Sequence, residues 1–137
     1  MPELRQDFEI PEYCYTGSEE EDIHINCWIG PGGTVSPLHT DPKHNCLVQV
    51  LGSKYVALFP ESQTPFLAAF EEGILTNTSQ IDLERSEAEI LKKFPEFSHA
   101  KGFEGILVPG DILYIPPSCW HFVKSLATSF SVSFWFQ

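Results

Sequence analysis

His39, Thr40 and Asp41, in the string SPLHTDP, place an imidazole two residues before a carboxylate. In an extended segment side chains alternate, so His39 and Asp41 point to one side of the backbone and can converge on a single ion. The tripeptide alone is weak evidence and needs a third donor. His121 is the candidate, in an apolar run that follows a Pro-Gly-Asp turn and the rigid Ile-Pro-Pro stretch at 115–117. Two histidines and one carboxylate leave coordination positions open, which suits iron(II) and oxygen chemistry better than a closed zinc site, where cysteine ligands are usual. Cys14, Cys27, Cys46 and Cys119 are scattered with no C-x-x-C pair and read as free thiols. The ordinary reading of any one histidine is a hydrogen-bonded side chain, and His24, His44 and His99 are taken that way.

Lys54 opens the run KYVALF, in phase with Val56 and Leu58. If that side points inward, a buried ammonium needs an anionic partner, because an unpaired buried charge is very costly; a dicarboxylate would supply one. If Tyr55, Ala57 and Phe59 point inward instead, Lys54 is solvated, and spacing does not choose between the faces. Asn45, in phase with Leu47 and Gln49, raises the same question for a neutral hydrogen-bonding group. In SFSVSFWF, at 129–136, Phe130, Val132, Phe134 and Phe136 share one face, and Ser129, Ser131, Ser133 and Trp135 share the other. The small polar face either lines a cavity for a compact ligand or meets solvent.

The elements that must position these groups are short strands. The chain has 137 residues, with 11 Phe, 4 Tyr and 3 Trp punctuated by 11 Pro and 9 Gly, a composition that argues for one all-β or β-rich domain of the sandwich or barrel kind. Alternation over 23–29 predicts a first strand ended by Gly-Pro-Gly-Gly at 30–33, with Asn26 and Trp28 on one face. Residues 45–51 and 54–59, separated by Gly52-Ser53, predict a tight hairpin. FLAAF within 60–80 predicts a turn of surface helix. Ser86 with Glu89 three residues later is a capping-box pattern, so a short helix is expected through Ile90 and Leu91, stopped at Pro95. Strands are expected again over 105–108, 111–116, 120–126 and 129–136. Residues 1–22, with the acidic run Glu19–Asp22, read as an extended lead-in, and 23–137 as the core.

The formal charge is −11, which repels nucleic acid and attracts a cationic partner such as a Lys- or Arg-bearing peptide. No apolar stretch is long enough to span a bilayer and the N-terminus lacks the order of a signal peptide, so an intracellular, soluble protein with no membrane partner is expected.

The strings NCWIGPGGTVSPLHTDPKHN, LVQVLGSKYVALF, PGDILYIPPSCWH and SFSVSFWF resemble the carboxy-terminal two-thirds of a jumonji-C domain over roughly residues 8–137. The resemblance implies a double-stranded β-helix of the cupin (jelly-roll) type, incomplete at its N-terminal side, that binds Fe(II) and 2-oxoglutarate and uses O₂ to hydroxylate a protein side chain. It implies that His39, Asp41 and His121 hold the iron, that Ser36, Asn45, Lys54 and Trp135 contact 2-oxoglutarate, and that Trp28 borders the substrate pocket with Asn26 beside it. The substrate implied is an Arg or Lys side chain, hydroxylated outright or demethylated through hydroxylation. With the upstream strands of a full domain missing, the face of Phe130, Val132, Phe134 and Phe136 is expected to be partly exposed and to invite self-association. Two other readings stand beside this one: a catalytically silent cupin-like interaction module, and a metal-dependent cupin acting on a small molecule without 2-oxoglutarate.

Overall fold

The computed structural model describes residues 7, 9–15 and 23–137. Eight strands form two four-stranded antiparallel sheets: β1 (His24–Gly30), β2 (Val35–His39), β3 (His44–Leu51), β4 (Lys54–Phe59), β5 (Phe103–Leu107), β6 (Ile112–Ile115), β7 (Trp120–Ser125) and β8 (Ser129–Phe136). One sheet runs β1-β8-β3-β6 and the other β2-β7-β4-β5. Every consecutive pair of strands changes sheet except β4 and β5, whose connection carries the helical insertion. This is the β-rich jelly roll expected from the sequence.

The hairpin expected at Gly52-Ser53 is not one. β3 and β4 have the predicted extents but belong to different sheets, β3 between β8 and β6, β4 between β7 and β5. Each already has a neighbour on both edges, so neither has backbone groups left for the other. The turn is a corner between sheets, held by Leu126 N–H donating to the Ser53 carbonyl. Gly52 has φ +70°, and a Cβ there would collide with the Thr128 carbonyl oxygen. Glycine is required for both reasons, and a glycine-serine pair looks the same in a corner as in a hairpin.

The insertion contains a 3-10 turn, Glu61–Phe66, then α1 (Glu87–Lys93) and a second 3-10 turn, Pro95–His99. At the N-cap of α1 the capping box is complete: Ser86 accepts from Glu89 N–H, and the Glu89 carboxylate accepts from Ser86 N–H. FLAAF forms no helix of its own: Phe66 is the last residue of the first 3-10 turn, and Ala69 bridges to Ser79. The insertion covers the outer face of one sheet, where Leu38, Ala57, Phe59, Trp120 and Phe122 pack with Leu67, Leu83, Phe97 and Ala100.

The outer face of the other sheet departs from expectation. Val132, Phe134 and Phe136 are no more than 2% exposed and Phe130 is half-buried, so the patch foreseen as a self-association surface is already covered. Ile10, Cys14, Ile23 and Ile25 pack on it with Cys46. The lead-in is therefore not simply extended: a 3-10 turn, Glu12–Cys14, buries Cys14 completely. The acidic run Glu19–Asp22 lies outside the described residues. Among the described residues no helix is long and apolar enough to cross a membrane.

Between the sheets the core changes character along its length. Leu47, Val56 and Leu107 pack with Leu113 and Val123 at one level. The serine face of β8 points inward, with Ser129, Ser131 and Ser133 all at most 1% exposed. Ser131 donates to Gln49 Oε1 at 2.7 Å, and the Gln49 amide donates to the Leu51 carbonyl, so this buried polarity is satisfied. The roll thus has an interior that is partly polar, as a ligand cavity requires.

Candidate metal centre and its cavity

β2 and β7 pair with His39 directly opposite His121, which brings the two imidazoles together, ring centroids 4.2 Å apart. Asp41 lies just past the end of β2. Its carbonyl accepts from Ser118 N–H at 2.9 Å, which ties the segment bearing His39 and Asp41 to the turn leading into His121. Ser118 has φ +60°, a left-handed conformation imposed by that tight turn after Pro116 and Pro117.

Both imidazoles are oriented by backbone carbonyls. His39 Nδ1 lies 2.7 Å from the Pro37 oxygen, and His121 Nδ1 lies 3.0 Å from the Cys119 oxygen. A carbonyl only accepts, so each Nδ1 carries the hydrogen and each Nε2 presents its lone pair. The two Nε2 atoms face the Asp41 carboxylate, His39 at 3.8 Å from Oδ1 and His121 at 3.4 Å from Oδ2. The three donor atoms all lie within 4.8 Å of one another. Ligands that each sit about 2.1 Å from one ion are necessarily separated by about 3–4 Å, so this spacing fits a shared metal better than a set of direct hydrogen bonds.

The electrostatics favour the same state. Burial lowers the pKa of His39, and the neighbouring His121 lowers it further, outweighing the Pro37 carbonyl and Asp41. Burial alone would raise the Asp41 carboxyl, but in the absence of metal a proton taken up on His121 Nε2 faces that carboxylate as donor and charge, with His39 behind it, and holds it below the ordinary range; a metal ion takes the place of that proton. A neutral imidazole and an ionised carboxylate are the forms that ligate metal.

A cavity of about 150 Å³ opens on this cluster. His39, Asp41 and His121 form one end, and Ser36, Asn45, Lys54 and Trp135 lie on its walls, with Leu47, Ile115 and Val123 as apolar lining and Trp28 at the mouth. Trp28 is 47% exposed and donates from Nε1 to Ser133 Oγ at 2.9 Å. Asn26 shares the Trp28 side of β1 but is exposed and off the cavity wall.

Both faces of β4 are buried, which answers the question spacing left open. Tyr55, Ala57 and Phe59 pack under the insertion, while Lys54 points into the cavity and is 7% exposed. Burial lowers its pKa, and among the described residues its ammonium has no ion-pair or hydrogen-bond partner. Two more polar atoms are buried without partners, Asn45 Oδ1 and Trp135 Nε1, on residues directly opposite each other in β3 and β8. An unpartnered ammonium and an unpartnered indole N–H on one small cavity, beside a two-histidine, one-carboxylate cluster, fit an anionic ligand that reaches the metal. Leu58 pairs with His121 and Lys54 with Ser125, so the two ends of the cavity are four strand positions, about 13 Å, apart at backbone level. A lysine side chain and a short dicarboxylate together span such a gap.

Asn77, in the insertion, was not a sequence candidate. Thr40 N–H donates to the Asn77 carbonyl at 2.8 Å, and Asn77 Nδ2 donates back to the Thr40 carbonyl at 2.9 Å. Both peptide groups of the residue between His39 and Asp41 are thereby clamped. No local signal marks Asn77, because its partner is remote in sequence.

The sequence profile of the family described as "Cupin-like domain" matches residues 1–137. Among characterised relatives, lysine-specific demethylase 8 of Danio rerio is 51% identical over 100% of this chain and 33% of its own length. Lysine-specific demethylase JMJ30 of Arabidopsis thaliana is 46% identical over 98% of the chain and 30% of its own length. Jumonji C domain-containing protein 5 of Drosophila melanogaster is 43% identical, covering 100% and 34% respectively. The chain spans about a third of the length of these relatives.

Proposed function

This chain belongs to the cupin-like domain family, among the jumonji-C proteins, and from that premise we propose that it carries the core of an Fe(II)- and 2-oxoglutarate-dependent oxygenase acting on a basic side chain, Arg or Lys, of a protein. The observation that carries the reading is the convergence of His39, Asp41 and His121 within 4.8 Å on the same cavity as the unpaired ammonium of Lys54. His39, Asp41 and His121 hold the iron. Lys54 binds the distal carboxylate of 2-oxoglutarate, with Ser36, Asn45 and Trp135 as further hydrogen-bonding contacts. When bound, the iron and cosubstrate would supply the oxidising chemistry, one oxygen atom of O₂ entering the substrate C–H bond as hydroxyl and the other entering succinate, with CO₂ released from 2-oxoglutarate.

The protein's own contribution is position and exclusion. The Pro37 and Cys119 carbonyls fix the imidazole planes, and the β2–β7 register fixes their separation. Lys54 sets the direction from which the cosubstrate reaches the metal, while Leu47, Ile115 and Val123 keep that wall apolar. Trp28 borders the entry of the substrate side chain, and Asn26, exposed further along the same strand face, contacts the outer part of the substrate. The charge of −11 favours approach of a basic peptide. Hydroxylation on an N-methyl carbon would give a hydroxymethyl amine that breaks its C–N bond to leave the amine and formaldehyde, so demethylation and stable hydroxylation draw on the same site. Such a reaction on a protein side chain is proposed for the nucleus or cytoplasm.

The test is succinate formation from 2-oxoglutarate with Fe(II), O₂ and Arg- or Lys-bearing peptides, alongside calorimetry of Mn(II) and 2-oxoglutarate binding. Metal-dependent 2-oxoglutarate binding that is lost in both Asp41→Ala and Lys54→Ala is expected. A folded protein that binds metal but not 2-oxoglutarate would overturn the oxygenase reading in favour of a cupin using another ligand. One that binds neither would mark a silent module.

A further inference from the structure

The cavity does not end at Lys54. A second hollow of about 70 Å³ shares Trp28, Ser36, Lys54 and Val123 with the first and continues to Ser125 and Ser129. Ser125 is directly opposite Lys54 in the β4–β7 pair, so this chamber lies at the strand level of the lysine, away from the His39–His121 level. Ser125 and Ser129 are 5% and 1% exposed, and their Oγ atoms are 3.0 Å apart. Two hydroxyls carry two hydrogens, and their mutual bond uses one, which leaves one hydrogen to donate into the chamber. Among the described residues no carboxylate lines this chamber. Its polar groups are an ammonium and hydroxyl donors, the set that receives a carboxylate rather than a cation. A hollow of this volume has room for one more methylene or two between the carboxylates of a linear diacid.

We propose that this chamber sets the length of the dicarboxylate the site accepts, and that it admits linear 2-oxo dicarboxylates with six carbons as well as five. Ser125 and Ser129 are its specificity-determining residues. The inference rests on the reading of Lys54 as the anchor of a dicarboxylate cosubstrate. In the longer ligand the distal carboxylate lies on the Ser125 side of the ammonium, accepting from Lys54 and from the free serine hydroxyl. The 2-oxo acid end is unchanged.

The test uses the chain loaded with Mn(II) under anaerobic conditions and titrated by calorimetry with 2-oxoglutarate and with its six-carbon homologue 2-oxoadipate. The expected result is binding of the homologue within about fivefold of 2-oxoglutarate, where a wall behind the lysine would impose the roughly 10–200-fold penalty of one misfitting methylene. Ser125→Thr and Ser129→Thr each keep the hydroxyl and add a methyl to the chamber. Each is expected to weaken the homologue by about tenfold and 2-oxoglutarate by less than about threefold. Should Ser129→Thr fail to fold, the unmodified chain and Ser125→Thr carry the comparison. Strong rejection of the homologue by a chain that binds 2-oxoglutarate would overturn the chamber alone. So would equal weakening of both ligands in the variants. Binding of neither diacid would remove the cosubstrate reading and the chamber with it.

Discussion

At the scale of single residues the cavity is arranged around groups that the fold leaves without partners. Lys54 is the clearest case, since burial lowers its pKa and nothing among the described residues opposes that shift. A folded pKa below the unfolded 10.5 means that the unfolded chain binds more protons between the two values, so through this group stability rises with pH across that window. Below the folded pKa the cost is constant and fully present. Lys54→Met is therefore expected to stabilise the ligand-free protein by about 1 kcal/mol at neutral pH, read as a higher midpoint in urea, while abolishing 2-oxoglutarate binding. A variant less stable than the parent would show that the ammonium is already compensated. Binding of 2-oxoglutarate by the parent should weaken as pH rises through the depressed lysine pKa, because the neutral amine no longer balances the carboxylate. The donor pair His39 and Asp41 was legible from strand alternation, and His121 from its residue type after a rigid turn. The side on which Lys54 lies was not legible, because both faces of β4 are buried and an inward apolar face does not distinguish them.

At the scale of elements, the capped helix and most strands were legible in their own residues, whereas which strand each one pairs with was not. The helix at Ser86 follows from a capping box whose partners are three residues apart, and β8 from a clean period of two. The Gly52-Ser53 corner was misread because turn composition reports a reversal of the chain and not the sheet to which the chain returns. The insertion between β4 and β5 illustrates what locality hides. It comes back to β2, bridging His39 with Thr78 and clamping Thr40 with Asn77, and so braces the two candidate ligands from outside the roll. Asn77→Ala removes the side-chain half of that clamp and leaves the backbone half. Groups that orient metal ligands typically contribute 10–100-fold in affinity, so about a tenfold loss of Mn(II) affinity is expected, with the urea midpoint little changed because the bond is exposed. Ser86→Ala supplies the contrast: loss of the cap should cost about 1 kcal/mol of stability and leave metal affinity unaltered. If the two variants behaved alike in both measurements, the insertion would be a cover for the sheet and not a brace for the site.

At the scale of the whole molecule two fields of force act, one apolar and one electrostatic. The apolar one was misjudged from the sequence, because the phenylalanine face of β8 looked uncovered until Ile10 and Cys14, inside an acidic and proline-marked segment, proved to lie on it. Isolated apolar residues carry no periodicity, and only the packed structure gives them meaning. Cys14→Asp places a carboxylate at a position with no exposure, a change expected to detach the segment or to cost several kcal/mol. Light scattering should then show concentration-dependent association stronger than that of the unaltered chain, since Phe134 and Phe136 become accessible. The electrostatic field follows from the charge of −11 and acts oppositely on the two ligands the proposed reaction requires. A basic peptide is drawn toward the molecule as a whole, and this attraction between exposed charges is screened within a Debye length of about 8 Å at physiological ionic strength. A dicarboxylate is repelled by the same field and held only at close range by Lys54, in a cavity where screening is weak. Raising the salt should therefore lower kcat/KM for an Arg- or Lys-bearing peptide several-fold, while the KM for 2-oxoglutarate stays level or falls. Parallel losses for both ligands would mean that salt acts on the fold or on the metal cluster. A loss of kcat/KM confined to 2-oxoglutarate would place the decisive charge at the cavity and would remove the argument for a basic substrate, because then the acidic surface plays no part in bringing the peptide to Trp28.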